Sequence, residues 1–285
     1  MSLKSLAEYV SLRLLAAMVN RVQDPHPMST QPKTLCSQIL SQVNARVKAG
    51  GPYLDSTSFE VRRLLCEAEK ITGDAYQAIE RFITLGAIHQ ICGNEAEMRH
   101  NFSCAAKLDR SPRTAAAYCG ALINMGYISE AQKEFARAAR PELGWLTCID
   151  SLGFFSMAIT PLNDFYAAAQ TMKIAELSAK HVEGAKRIQK IFQEADVTDE
   201  IVGQMLDDAG EILRDRRLMC CEHVEKNQYI YDGPYDEHFV SIRWRVPVSA
   251  DEASDMSFEF VNRFIERFEK IPANIGFSFT GTQRR

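Results

Sequence analysis

Several features are missing from this 285-residue chain, and each absence removes a class of function. No stretch approaches the 18 or more apolar residues of a membrane span, so none is expected. No phosphate-cradling glycine loop occurs, and no G-x-S-x-G, H-E-x-x-H or G-x-G-x-x-G motif, which removes the usual signals of nucleotide binding, serine hydrolysis and zinc proteolysis. There is no basic excess. Lys and Arg number 33 against 37 Asp and Glu, a net charge of -4, which excludes a general nucleic-acid coat. The eight cysteines, Cys36, Cys66, Cys92, Cys104, Cys119, Cys148, Cys220 and Cys221, contain no CxxC pair. Widely spaced in apolar stretches, they read as reduced small hydrophobes of a cytoplasmic protein. No cofactor or metal is expected. What remains is ordinary: 46% hydrophobic and 25% charged residues, enough for a folded core without staples.

The chain reads as helix after helix. Leu3, Leu6, Val10, Leu14, Ala17 and Met18 recur at helical spacing, but Lys4, Glu8, Arg13 and Arg21 deny them the uninterrupted apolar centre of a signal peptide. Pro25 and Pro27 then mark a linker. A helix over 33–48 buries Cys36, Ile39, Leu40, Val43 and Val47 and stops at Gly50-Gly51. Thr57 and Glu60 form a capping-box pattern for a helix burying Val61, Leu64, Leu65, Ala68 and Ile71. Asp74 caps the next, which carries Ile79, Phe82, Ile83 and Gly86.

From here the sequence repeats. Gly93 and Gly126 are 33 residues apart, as are Phe102 and Phe135, and Ala105 and Ala138. Such a period signals stacked helical hairpins: the glycines turn one helix into the next, the phenylalanines are knobs and the alanines admit the neighbour. Leu85-Gly86, Gly93, Phe102 and Ala105 in the first unit, with Gly126, Ala131, Phe135 and Ala138 in the second, resemble the tetratricopeptide repeat. Met98 and Tyr118-Cys119 depart from its pattern, and its period is 34. The resemblance covers residues 79–144 and implies a curved α-α superhelix with a concave groove. His89, Gln90, Asn94, Asn124 and Tyr127 would face that groove.

Helical periodicity continues through Trp145, Cys148, Leu152 and Phe155. Thr160-Pro161 reads as a cap and first-turn proline, followed by Phe165, Ala168, Met172 and Leu177. Val182, Ala185, Ile188 and Phe192 mark another helix. Thr198 opens a last one, with Ile201, Val202, Met205, Ala209, Ile212 and Leu213 buried. Near residue 218 the period becomes 2. Val240, Ile242, Trp244 and Val246 alternate with Phe239, Ser241, Arg243 and Arg245, and Ser249 and Glu252 open a helix expected to bury Phe258, Val261, Ile265 and Phe268. Ile275, Phe277 and Phe279 alternate again. The expected fold is therefore mostly α: an N-terminal helix and Pro-rich linker (1–32), a helical-repeat domain (33–217) and a small β-β-α-β module (218–285).

Candidate chemistry is sparse. Cys220 and Cys221 would point to opposite faces of a strand and, with His223, do not make a zinc site. His100 and Cys104 share a helix face, but two ligands are not a site. His223 and His238 can meet across a hairpin at Asp232-Gly233-Pro234 as the acid and base of a hydrolase, with no cationic field beside them. Asp207, Asp208, Glu211 and Asp215 read as a solvated face paired locally by Arg214, Arg216 and Arg217. Phe239, Arg243 and Arg245 share an open sheet face suited to nucleic acid or to contact between copies. The module's 8 Lys and Arg against 11 Asp and Glu, net -3, disfavour nucleic acid. The leading expectation is a non-enzymatic scaffold that grips a partner peptide or helix in the groove. A nucleic-acid-binding regulator and a His223/His238 hydrolase are the alternatives.

Overall fold

The computed structural model describes residues 34–143, 148–173, 177–220, 229–232, 238–268, 272 and 274–282, with the backbone alone described at 143, 229–232 and 238. The 3–18 pattern, Trp145, Cys221, His223 and the Gly233-Pro234 turn lie outside the described residues.

Eleven α-helices occur among them. In chain order these begin with α1 (Leu35–Ala49), α2 (Phe59–Glu69), α3 (Ala75–Ile91), α4 (Glu95–Leu108), α5 (Pro112–Asn124) and α6 (Ile128–Ala138). After a short 3-10 turn (Pro141–Leu143) come α7 (Ile149–Ser156), α8 (Ile159–Met172), α9 (Ala179–Glu194) and α10 (Asp199–Asp215). Strands β1 (Tyr229–Asp232) and β2 (His238–Val246), helix α11 (Ala250–Arg267) and strand β3 (Ile275–Gly281) complete the chain.

Side-chain caps start many of the helices. Thr34, Asp74, Asn94, Ser111, Thr198 and Ser249 each accept a backbone N–H from the first turn that follows, worth about 1 kcal/mol apiece. The cap of α2 is Ser58, which accepts from Val61 N, and not the expected Thr57. Thr57 instead bonds the Asp55 carboxylate through its N–H and its hydroxyl.

Helices pair in sequence: α3 with α4, α5 with α6, α7 with α8. Each pair turns in the same way. A residue just past the first helix, one or two positions on, is left-handed: Gly93 at φ 69°, Gly126 at 73°, Met157 at 55°. The next N–H closes a long bond back to the helix, Asn94 to His89 (3.0 Å), Tyr127 to Leu122 (2.9 Å) and Ala158 to Gly153 (3.0 Å). This is the Schellman termination. The same closure at Asp196 (φ 54°) ends α9.

The repeat residues pack as their spacing implies. Phe102 and Phe135 are buried, with Ala105, Ala131 and Ala138 beside them. A Cβ on Gly86 would stand 2.8 Å from the Phe102 ring, so only glycine lets α3 and α4 approach this closely. Phe102 also stacks on Tyr118 of the following pair at 5.0 Å. Phe135 reaches Gly153 of α7, where a Cβ would meet its ring at 2.9 Å. Each pair therefore inserts its large residue against the next.

The order ends at α10, which crosses back onto α6. Its exit joins the loop after α1, where Tyr53 N donates to Arg217 O and Met219 N to Gly51 O, and the end of α5, where Cys220 N donates to Asn124 O. One apolar core runs from Ile83 to Phe279, joining the paired helices to the sheet. A second, smaller core lies among α1, α2 and α3.

The sheet has order β1-β2-β3, with β1 antiparallel and β3 parallel to β2. Val240, Ile242, Trp244 and Val246 are buried, as their alternation predicts. The helix, however, buries Ala253, Met256, Phe260 and Phe264. The expected Phe258, Val261 and Ile265 are 67%, 43% and 55% exposed, and Phe268 is half-buried. Both apolar sets recur at helical spacing, and Phe277, 4.6 Å from the Phe260 ring, selects the second.

Candidate binding site

α10 is where the polar residues converge. Asp199, Gly203, Asp207, Gly210 and Arg214 fall on one helical stripe. All of them work on neighbouring helices. The N-caps of α6 and α8, Tyr127 and Ala158, make no side-chain capping bond of their own. Asp207 supplies one from outside, accepting from Ile128 N at 2.5 Å and Ser129 N at 3.0 Å. Asp199 does the same for α8, accepting from Thr160 N at 2.8 Å. Thr160 therefore sits inside the first turn and is not the cap that its proline neighbour suggests. A carboxylate at a helix start also meets the positive end of the helix dipole.

Glycines make room for this crossing. A Cβ on Gly126 would lie 2.5 Å from Gly210 Cα, and one on Gly210 would strike the Gly126 carbonyl. One turn on, Arg214 donates to Met125 O (3.0 Å) and Gly126 O (2.8 Å), the carbonyls of the turn that follows α5.

The acidic face read as solvated is thus a docking face. Arg216 pairs with Glu259 of α11 at 2.7 Å. Arg263 bridges Glu211 (3.2 Å), Asp215 (2.9 Å) and Glu259 (2.6 Å), and Arg267 pairs with Asp208. The sequence missed this because spacings of 3 and 4 describe a solvated stripe and a docked stripe equally well.

Tyr127 stands at the edge of the crossing. Its ring lies between the guanidinium groups of Arg99 (4.7 Å) and Arg214 (4.0 Å), and its hydroxyl donates to Glu95. Arg99 also pairs with Glu130 at 2.5 and 2.8 Å and with Glu95 at 2.7 Å. Burial, then the bond to Glu95, pushes the Tyr127 hydroxyl up to about 12. Burial opposes ionisation of Glu95, but its bonds from Tyr127 and Arg99 hold it below the usual carboxylate range.

Between Tyr127, α10 and the end of α11 opens a polar cleft of about 550 Å³. Gln204, Asp207, Asp208, Glu211 and Arg214 line one side, Arg267 and Phe268 the other. Asp208 is only 3% exposed. Its Oδ1 accepts from Arg267, while Oδ2 is buried with no hydrogen-bond partner in the protein. Burial raises its pKa, and the neighbouring Arg267 only partly offsets this. A buried carboxylate oxygen lacking a donor is costly.

Of the five residues expected to face a groove, Tyr127 alone borders this cleft. Gln90 and Asn124 are buried, and the Asn124 carbonyl holds Cys220. Asn94 caps α4. His89 is half-buried, and burial lowers its pKa. Phe239 is half-buried over Gly276, Arg243 is exposed and Arg245 half-buried. His238 is described only through its backbone pairing with Asp232. His100 Nε2 lies 3.6 Å from Cys104 Sγ on an exposed surface.

One polar cluster was not anticipated. Asp150 accepts from the Tyr166 hydroxyl at 2.7 Å and pairs with His181 Nδ1 at 2.8 Å. It ties α7, α8 and α9 together, but its members lie far apart in sequence and carry no motif. Among the described residues no three His, Cys, Asp or Glu side chains gather as metal ligands, and no helix is long and apolar enough to cross a membrane.

No family model, curated protein or solved structure matches this chain.

Proposed function

We propose that this chain is a non-enzymatic recognition scaffold: a tetratricopeptide-like array of helical hairpins that holds a segment of a partner protein carrying a basic side chain. The observation that carries the reading is the Asp208 carboxylate, buried at the wall of an open polar cleft with one oxygen lacking a donor. Such an arrangement suits a guanidinium or ammonium group, which forms charge-assisted hydrogen bonds. Asp207 and Glu211 add negative potential, and Phe268 supplies an apolar wall for the methylenes of an Arg or Lys stem. The cleft volume is that of a site for one or two side chains. Sequential helix pairs stiffen the surroundings, as expected of a repeat scaffold. Five buried cysteines fit a reducing, cytoplasmic setting.

The test is fluorescence anisotropy with short peptides that differ only in one Arg, Lys, citrulline or Leu. The Arg peptide is expected to bind in a salt-sensitive manner, and Asp208→Asn to weaken it roughly tenfold or more. Equal affinity for the Arg and citrulline peptides, or no effect of Asp208→Asn, refutes the reading.

A further inference from the structure

α11 carries two apolar stripes, and the sheet takes only one. The other, Phe258, Val261 and Ile265, recurs at i, i+3 and i+7 and is exposed along its length. Beside it runs a groove of about 380 Å³ between Ala250, Ser254, Phe258 and Val261 of the helix and Thr280 and Gly281 of β3. We propose that this groove receives a basic amphipathic helix of a partner protein. The surface is separate from the Asp208 cleft and does not rest on it.

Three observations select that occupant. The first is charge. Both arginines within α11 face α10: Arg263 pairs with Glu211, Asp215 and Glu259, and Arg267 with Asp208. Next to Phe258, Asp255 and Glu266 form an exposed acidic row. The apolar floor therefore has one acidic wall, complementary to a helix with Lys or Arg beside its apolar face.

The second concerns the sheet edge. β3 is an outer strand, and an added strand would need its outward N–H and C=O groups. The hydroxyl of Ser257 already accepts from Phe279 N at 3.0 Å. A helix lying in the groove needs no backbone bond from that edge.

The third is what the acidic row disfavours. A second copy packed antiparallel on the stripe across a two-fold axis would set the row of Asp255 and Glu266 against the same row of its mate. An anionic lipid surface would be repelled in the same way.

The experiment uses the full chain and a synthetic amphipathic helix of about 18 residues, with leucines on one face and lysines on the other, against a counterpart with glutamate in place of lysine. The lysine peptide is expected to bind and the glutamate peptide not to. Phe258→Ser should weaken binding roughly 30-fold. Asp255→Lys with Glu266→Lys should weaken it roughly tenfold and remove its salt dependence. Because all three side chains are exposed, circular dichroism and Tm should not change, and Asp208→Asn should leave this binding intact. Equal binding of both peptides, or of neither, overturns the proposal. So does a dimer in sedimentation that Phe258→Ser abolishes, which would assign the stripe to a second copy. Co-sedimentation with vesicles of anionic lipid would assign it to a membrane and overturn it equally.

Discussion

Replacing Gly210 by alanine sets two effects of opposite sign against each other. Glycine inside a helix costs about 1 kcal/mol relative to alanine, so on propensity alone Gly210→Ala stabilises α10. The structure demands the reverse. The new Cβ would strike the Gly126 carbonyl, which is backbone in a left-handed turn and has little freedom to yield. The helix would have to lift away. The Arg214 bonds to Met125 O and Gly126 O would then stretch, and the Asp207 cap on Ile128 and Ser129 would weaken. Hydrogen bonds to charged groups contribute about 1.5 to 3 kcal/mol each. Losing the larger part of two and weakening a third, less the propensity gain, leaves a net loss of about 3 kcal/mol. Denaturant unfolding with tryptophan fluorescence should show the midpoint fall at constant slope. Tm should drop by about 6 to 12 °C, from about 2 to 4 °C per kcal/mol for a chain of this order of size. A variant as stable as the parent, or about 1 kcal/mol more stable, would show that α10 does not lie on the hairpin turn, and the crossing would be wrong.

Other perturbations follow from the same contacts. Phe135→Ala should cost about 3 to 5 kcal/mol in urea unfolding, whereas the 82% exposed Phe59 should lose at most about 0.5 kcal/mol on the same change. Gly86→Ala places a methyl group against the Phe102 ring and should cost about 1 to 3 kcal/mol, with recovery when Phe102 is shortened to Leu. Asp208 has its pKa raised by burial, so the folded state holds a proton that the unfolded chain releases near pH 3.9. Its contribution to stability therefore falls as pH rises from that value through the folded pKa, and it is most favourable below. Asp208→Asn should remove this slope from urea midpoints taken between pH 3.5 and 7, leaving the variant at least as stable as the parent at neutral pH.

Glycine explains how much of the paired-helix order was readable. A left-handed termination at Gly93 or Gly126 shows in sequence because glycine enters that conformation freely. The same turn at Met157 and Asp196 is built with residues that carry no such sign, so the later pairs were read only as helices. Phe102 and Phe135 were legible as core because large and small residues recur together. α11 was placed correctly and rotated wrongly: Phe258/Val261/Ile265 and Met256/Phe260/Phe264 satisfy one periodicity, and only the aromatic underside of the sheet chooses between them. The Asp208 cleft had no local signature, since Tyr127 and Asp208 are brought together by a crossing of helices. Asp199 and Asp207 hid for the same reason: a capping residue is sought beside its helix, and these cap helices that precede them in the chain.

That arrangement bears on how the protein is made. The first turns of α6 and α8 wait for acceptors that follow them by 79 and 39 residues. On a ribosome, both helices emerge well before Asp199 and Asp207 do. Their opening amides must bond water until the later helix arrives and latches the earlier ones from outside. A chain interrupted short of position 207 would keep α6 frayed at its start, a natural foothold for a chaperone or a protease.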